Sequence, residues 1–161
     1  MLRNLLLLCA LTVPFGPALG EPLREFRPGP AALDEFTGKG QWVILKIWAS
    51  DCHICNREAY QYVDFHEFHE DTDAVMLGLS LDGEDRAAAL SFIERHEIQY
   101  PNLIGDYATV TGWYASLTGR KFVGTPTFMV YDPSGTLRAQ QVGAVPTELI
   151  EQFIADNTVA N

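Results

Sequence analysis

The run Trp42-Val43-Ile44-Leu45-Lys46-Ile47-Trp48 is followed after a short turn by Cys52-His53-Ile54-Cys55, and beyond that pair the spacing changes from strand-like to helical. A nearly continuous apolar strand is what the centre of a sheet buried on both faces requires, so this segment constrains the chain to an α/β architecture. Two cysteines separated by two residues can open and close a disulfide. The chemistry is therefore expected at a strand-to-helix junction.

The chain has 161 residues, 47% of them apolar and 20% charged, which predicts a single domain with a continuous core. Its net charge of -10 argues against nucleic acid or an anionic membrane surface as partner, because both attract a basic face. The acidity speaks to solubility and names no substrate.

Residues 1–20 read as a signal peptide: Arg3 supplies a positive n-region, Leu5 to Val13 an apolar core, and Ala18-Leu19-Gly20 a small-residue cleavage site. The apolar stretch is well short of the about 20 residues that cross a bilayer, so cleavage near Glu21 and export, as to a periplasm, are favoured over a retained anchor. Lipid attachment at Cys9 is discounted, since this residue lies inside the apolar core and follows leucines rather than small residues. Removal of Cys9 leaves Cys52 and Cys55 as the only thiols of the mature chain. A disulfide closing so short a loop constrains the unfolded chain little, which points to a redox-active pair rather than a staple. A zinc half-site or two buried cysteines are the bland alternatives, weakened by the lack of a second Cys-x-x-Cys or a suitable downstream His pair.

Residues 21–40, with three prolines, read as an extended lead-in, and 41–158 as the folded domain. Asn56 to Glu70 is expected to be one helix with Ala59, Tyr62, Val63 and His66 on a shared face, ended by Asp71-Thr72-Asp73. Ala74 to Leu81 reads as a second core strand, and Glu84 to His96 as a helix capped by Asp82 or Gly83. A short extended piece opens at Tyr100-Pro101, and Tyr107 to Leu117 is expected to be helical. Thr127 to Tyr131 and Thr136 to Val142 flank Asp132-Pro133-Ser134-Gly135, the composition of a β-hairpin turn, and a terminal helix begins at Pro146-Thr147-Glu148. This order predicts a mixed central sheet with helices on both faces and a C-terminal hairpin plus helix.

A helix N-terminus presents unpaired N–H groups and the positive end of the macrodipole, so a cysteine there has its thiolate favoured. Lowering a thiol from about 8.5 to about 6 takes about 3.4 kcal/mol, within reach of several hydrogen bonds acting with the dipole. Cys52 is thus the expected nucleophile. Cys55, one turn later, is expected to be more buried and to resolve the mixed disulfide. His53 either favours the Cys52 thiolate as an imidazolium or faces solvent without a role.

Trp48-Ala49-x-x-Cys52-x-x-Cys55, Gly124-Thr125-Pro126-Thr127-Phe128 and the Asp132 to Gly135 turn together resemble a thioredoxin fold, over roughly Gly38 to Ile154. Within that superfamily the signal peptide and the long segment before the Thr-Pro motif resemble the exported TlpA/ResA-like thioredoxins, which typically reduce disulfides outside the cytoplasm, many during cytochrome c maturation. The resemblance implies that Pro126 is a cis-proline opposite the cysteines, that Thr125 offers backbone to a substrate strand, and that Trp48 shields the disulfide, the three together forming the substrate-binding residues. It further implies protein thiol or disulfide substrates, a membrane-bound thiol donor, a monomer, and no metal or organic cofactor beyond the disulfide itself.

Two positions test the resemblance. Thioredoxin carries a buried acid where this chain has Lys46, which is left to act as a neutral base, to stabilise a thiolate, or to extend to solvent. Glu84 matches the place of a glutamate found after the second strand in similar reductases, or serves as a helix N-terminal charge. Oxidising relatives usually carry His immediately before the second cysteine, where Ile54 stands here. A disulfide-forming oxidase remains one rival to the expected reductase; copper delivery is another, although such proteins generally have a wider cysteine spacing and a distal histidine.

Overall fold

The structure, a computed structural model, describes residues 27, 28 and 30–158. The expected signal peptide lies outside them, as does most of the segment before Pro30. In the remainder of the expected lead-in, a short strand β1 (Arg27–Pro28) and a 3-10 helix (Pro30–Glu35) form, so this stretch is not simply extended.

Six strands make one sheet in the order β1, β4 (Asn102–Ile104), β3 (Ala74–Ser80), β2 (Trp42–Trp48), β5 (Thr127–Tyr131), β6 (Leu137–Val142). The pairs β1·β4, β4·β3 and β3·β2 are parallel, whereas β2·β5 and β5·β6 are antiparallel. Strand β2 is buried at every position, as its near-continuous apolar sequence requires at the centre of a covered sheet. Its side chains alternate between two cores. Trp42, Ile44 and Trp48 meet the helices α2 (Ala59–His69), α3 (Arg86–Arg95) and α5 (Thr147–Thr158), while Val43, Leu45 and Ile47 meet the 3-10 helix and α4 (Tyr107–Thr118). Helices thus cover both faces, as the sequence order predicts.

Two local expectations are corrected. The single helix expected over Asn56 to Glu70 is two: α1 (His53–Arg57) begins directly after Cys52, and the chain breaks at Glu58, whose φ of -111° and ψ of 9° leave the helical range, before α2 starts at Ala59. Helix α3 starts at Arg86 rather than Glu84, and its cap is Asp85, accepting the Ala88 N–H at 3.0 Å, rather than Asp82 or Gly83. Asp82 is engaged elsewhere. The hairpin turn forms around Asp132, whose Oδ1 accepts the N–H groups of Ser134 at 2.9 Å and Thr136 at 3.0 Å, with Gly135 at a φ of 88° completing it.

Candidate active site

Cys52 and Cys55 form a disulfide with their Cα atoms 5.2 Å apart. The turn of residues 49–51 places Cys52 as the N-cap of α1, where its sulfur accepts the Cys55 N–H at 3.1 Å. Cys52 is half-buried, whereas Cys55 has no exposed surface. The first cysteine is partly exposed and its sulfur receives a backbone N–H at the helix start; the second is buried.

The turn carrying Cys52 is held from two sides, neither of which the sequence reveals. Asp82 accepts the Ser50 N–H at 2.9 Å and the Ser50 hydroxyl at 3.1 Å, and it also takes the Ser80 hydroxyl at 2.8 Å. Strands β2 and β3 are parallel with Trp48 opposite Ser80, so residues just past both strand ends meet. On the other side, the Asn56 side-chain amide donates to the carbonyls of Ser50 and Cys52, each at 2.9 Å.

Trp48, expected among the substrate-binding residues, is fully buried and presents no surface of its own here. Its ring stacks on Phe92 with centroids 4.3 Å apart, and its indole N–H donates to Asn102 Oδ1 at 3.0 Å. Gly78 makes room for that bond, because a Cβ there would collide with the Asn102 side chain and lie 2.9 Å from the indole nitrogen. Trp48 supports the site from behind.

Lys46 does not extend to solvent. It occupies the β2 position between Ile44 and Trp48, pairs with Gly78 and Phe128 in the sheet, and is fully buried. Its ammonium lies 4.3 Å from the centroid of the Tyr62 ring and has no hydrogen-bond partner among the described residues. Burial lowers its pKa from 10.5 to about 8, opposed by the nearby Glu58 carboxylate. Glu58, at the break between α1 and α2, takes a bond from Arg57 on one oxygen while the other is buried. Cys55, Ala59 and Tyr62 line the same core face of the sheet as Lys46's neighbours Ile44 and Trp48.

The Thr125–Pro126 bond is cis, and Pro126 is buried with Thr125 half-buried beside it. Its loop is tied down by the Thr127 hydroxyl, which donates to the Gly124 carbonyl at 2.6 Å, and by the Gly143 N–H, which donates to the Pro126 carbonyl at 2.8 Å. Thr125 precedes the sheet pairing, which begins with Thr127 opposite Ile47. His53 is exposed in the first turn of α1, and Glu84 is exposed in the loop ahead of Asp85, outside α3.

The remaining histidines are engaged in the packing of α2 and α3. His66 Nδ1 accepts the Met76 N–H at 3.3 Å, so its other nitrogen, 3.0 Å from Glu70, carries the hydrogen; burial lowers its pKa. His69 Nδ1 lies 2.9 Å from Asp73. Among the described residues no group of three or more His, Cys, Asp or Glu side chains is arranged to hold a metal ion, and no helix is long and apolar enough to cross a membrane.

A family model described as the AhpC/TSA family matches residues 23–140. No curated protein matches the sequence. Among solved structures, the fold is similar to a putative thiol:disulfide interchange protein DsbE from Chlorobium tepidum, with 21% identity over 80% of this chain and 89% of that one and a TM-score of 0.63. It is also similar to a secreted disulfide oxidoreductase from Mycobacterium tuberculosis homologous to E. coli DsbE, with 20% identity over 76% and 85% and a TM-score of 0.58. StoA from Bacillus subtilis gives 20% identity, 71% and 83% coverage and a TM-score of 0.57. At these identities the likeness is one of fold.

Proposed function

The chain belongs to the AhpC/TSA family, in the thioredoxin superfamily, and from that premise we propose that it is an exported enzyme that reduces disulfides in protein substrates. That it is a thiol-disulfide oxidoreductase follows from the family together with the Cys52–Cys55 pair at disulfide distance. The reducing direction, the export, the monomeric state and the roles of individual residues are our reading. One observation carries the reading of the mechanism: the half-buried Cys52 caps a helix and its sulfur receives a backbone N–H, while Cys55 is buried one turn behind it.

In the reduced enzyme the Cys52 thiolate attacks one sulfur of a substrate disulfide. The other substrate sulfur leaves as a thiolate and takes up a proton. Cys55, giving up its own proton, then attacks the Cys52 sulfur of the mixed disulfide and expels the second substrate thiolate. The enzyme ends oxidised and the substrate reduced by two electrons. A membrane-bound thiol donor returns the pair to the dithiol, and no organic cofactor takes part. Thr125 and Pro126, at the edge where sheet pairing has not yet begun, serve as the place where substrate backbone docks.

Lys46 tunes this cycle as a buried cation on the core face that Cys55 shares, favouring the Cys55 thiolate in the resolving step. Ile54, rather than His, before the second cysteine supports the reducing direction, and His53 faces solvent. The similar fold of secreted oxidoreductases supports export. Cytochrome c maturation is one process in which such a reductase would act.

The test is turnover of a protein disulfide with dithiothreitol as donor. Cys52→Ser should abolish it, and full activity in that variant would remove Cys52 from its role.

A further inference from the structure

Asn56 makes a set of contacts that the chemistry above does not use. Its Nδ2 lies 2.9 Å from the Ser50 carbonyl and 2.9 Å from the Cys52 carbonyl, both of which can only accept. The amide orientation is therefore determined, and Oδ1 must be the acceptor for its other two neighbours. Those are Arg95 Nη1 at 2.9 Å and His96 Nε2 at 3.0 Å, at the C-terminal end of α3, so His96 carries its hydrogen on Nε2. His96 is in turn packed on Phe92, with ring centroids 4.5 Å apart, and Phe92 stacks on Trp48. All four contacts of one small side chain link the catalytic turn to a helix about forty residues later in the chain.

Both carbonyls matter to Cys52. Both belong to the turn that carries the sulfur, and a donor on each offsets the negative end of its dipole there, the Cys52 carbonyl also taking the Asn56 backbone N–H at 3.0 Å. The same two bonds hold the Cys52 backbone at φ -70° and ψ 110°, the extended pose in which its sulfur receives the Cys55 N–H. We infer that Asn56 is a positioning residue that sets the reactivity of Cys52 by tying the Ser50 and Cys52 carbonyls to Arg95 and His96. Arg95 and His96 aim the amide; Asn56 acts through the turn and touches no substrate.

This inference rests on Cys52 being the attacking thiol. The experiment is the rate of iodoacetamide alkylation of the reduced protein against pH, with the modified cysteine mapped by mass spectrometry, together with the equilibrium of the pair against dithiothreitol. Asn56→Leu keeps the side-chain shape and removes all four contacts. It should move the Cys52 profile up by about one pH unit, an about tenfold slower reaction at pH values below both midpoints. A less favoured thiolate makes the reduced form less stable, so at pH above both midpoints the pair should become about tenfold harder to reduce, about 30 mV more negative. The double variant Arg95→Met with His96→Phe leaves Asn56 in place and should shift both quantities in the same direction by a smaller amount. This second variant also serves if Asn56→Leu does not fold. Unchanged profile and equilibrium in whichever of the two folds, with alkylation still at Cys52, would overturn the inference alone. Alkylation of Cys55 in the native protein would overturn it together with the assignment of the nucleophile.

Discussion

The ammonium of Lys46 lies 4.3 Å from the centre of the Tyr62 ring, inside the core and beneath the helix that follows the cysteines. An aromatic face partly compensates this buried cation, which has no hydrogen-bond partner among the described residues, and burial brings its pKa down to about 8.

This sets a pH dependence whose sign is determined. The unfolded chain holds the Lys46 proton up to about its ordinary value of 10.5, whereas the folded chain releases it near 8. Between those values the unfolded state binds more protons, so the contribution of this group to stability is least favourable below pH 8 and improves as pH rises. The buried hydroxyls of Tyr62, Tyr100 and Tyr131, pushed up by burial, oppose the gain above about pH 10. Lys46→Met should therefore be more stable than the native chain at pH 7 by about 1–3 kcal/mol, and should lose the rise between pH 8 and 10. Urea unfolding at a series of pH values measures both, and a destabilised Lys46→Met at pH 7 would contradict the account.

The same substitution carries a functional expectation. If the Lys46 charge favours the Cys55 thiolate, Lys46→Met should slow resolution of a preformed mixed disulfide about tenfold or more and leave initial attack by Cys52 nearly unchanged. Stopped-flow kinetics with a chromogenic mixed disulfide separates the two steps, and equal slowing of both would remove Lys46 from the resolving step.

Asp82 is expected to hold the active-site turn. Asp82→Ala removes the acceptor for Ser50 N–H, Ser50 hydroxyl and Ser80 hydroxyl at once and should cost about 2 kcal/mol of stability. Hydrogen exchange at Ser50 should rise well beyond the global change. A uniform rise over the whole chain would instead mark Asp82 as an ordinary contributor to the fold.

Gly78, Asn102 and Trp48 form a coupled trio. Gly78→Ala should cost about 2–4 kcal/mol, because the added methyl collides with Asn102 and displaces the acceptor of the Trp48 N–H. Asn102→Ala should cost about 1–3 kcal/mol by leaving that N–H unpaired. In the double variant the methyl no longer meets Asn102 and keeps only its 2.9 Å approach to the Trp48 indole nitrogen, so the two costs should fall short of adding by about 1 kcal/mol. Strict additivity in thermal unfolding would show that the collision is absorbed elsewhere.

Reduction chemistry has its own outcomes. Cys55→Ala should trap a substrate through Cys52, recoverable as a covalent adduct on non-reducing gels and released by dithiothreitol. The potential of the native pair should lie near about -270 mV rather than about -120 mV, and a value at the oxidising end would reverse the proposed direction.

Elements dictated by local chemistry are legible in the amino-acid order. Trp42 to Trp48 forms the expected strand and Thr127 to Tyr131 the expected hairpin arm, because apolar runs and a Pro-Ser-Gly turn act through near neighbours. The positions of Cys52 and Cys55 are legible for the same reason. The break at Glu58 is not, since Glu58 is an ordinary helix former and no local signal marks the change of its φ and ψ between α1 and α2.

By itself, then, the sequence determined the strand that centres the sheet, the junction where the cysteines sit, the hairpin, and the thiol pair at which exchange chemistry happens. Only the tertiary structure decided that Lys46 is sealed in the core instead of reaching solvent, that Trp48 is fully buried against Phe92, and that Asp82 and Asn56 hold the turn before Cys52. Periodicity and turn residues report what the chain does within a few positions. Burial of a charge, and the partners of a carbonyl, depend on segments thirty to forty residues away being brought together by strand pairing and helix packing, and no local pattern encodes which side chain will meet them.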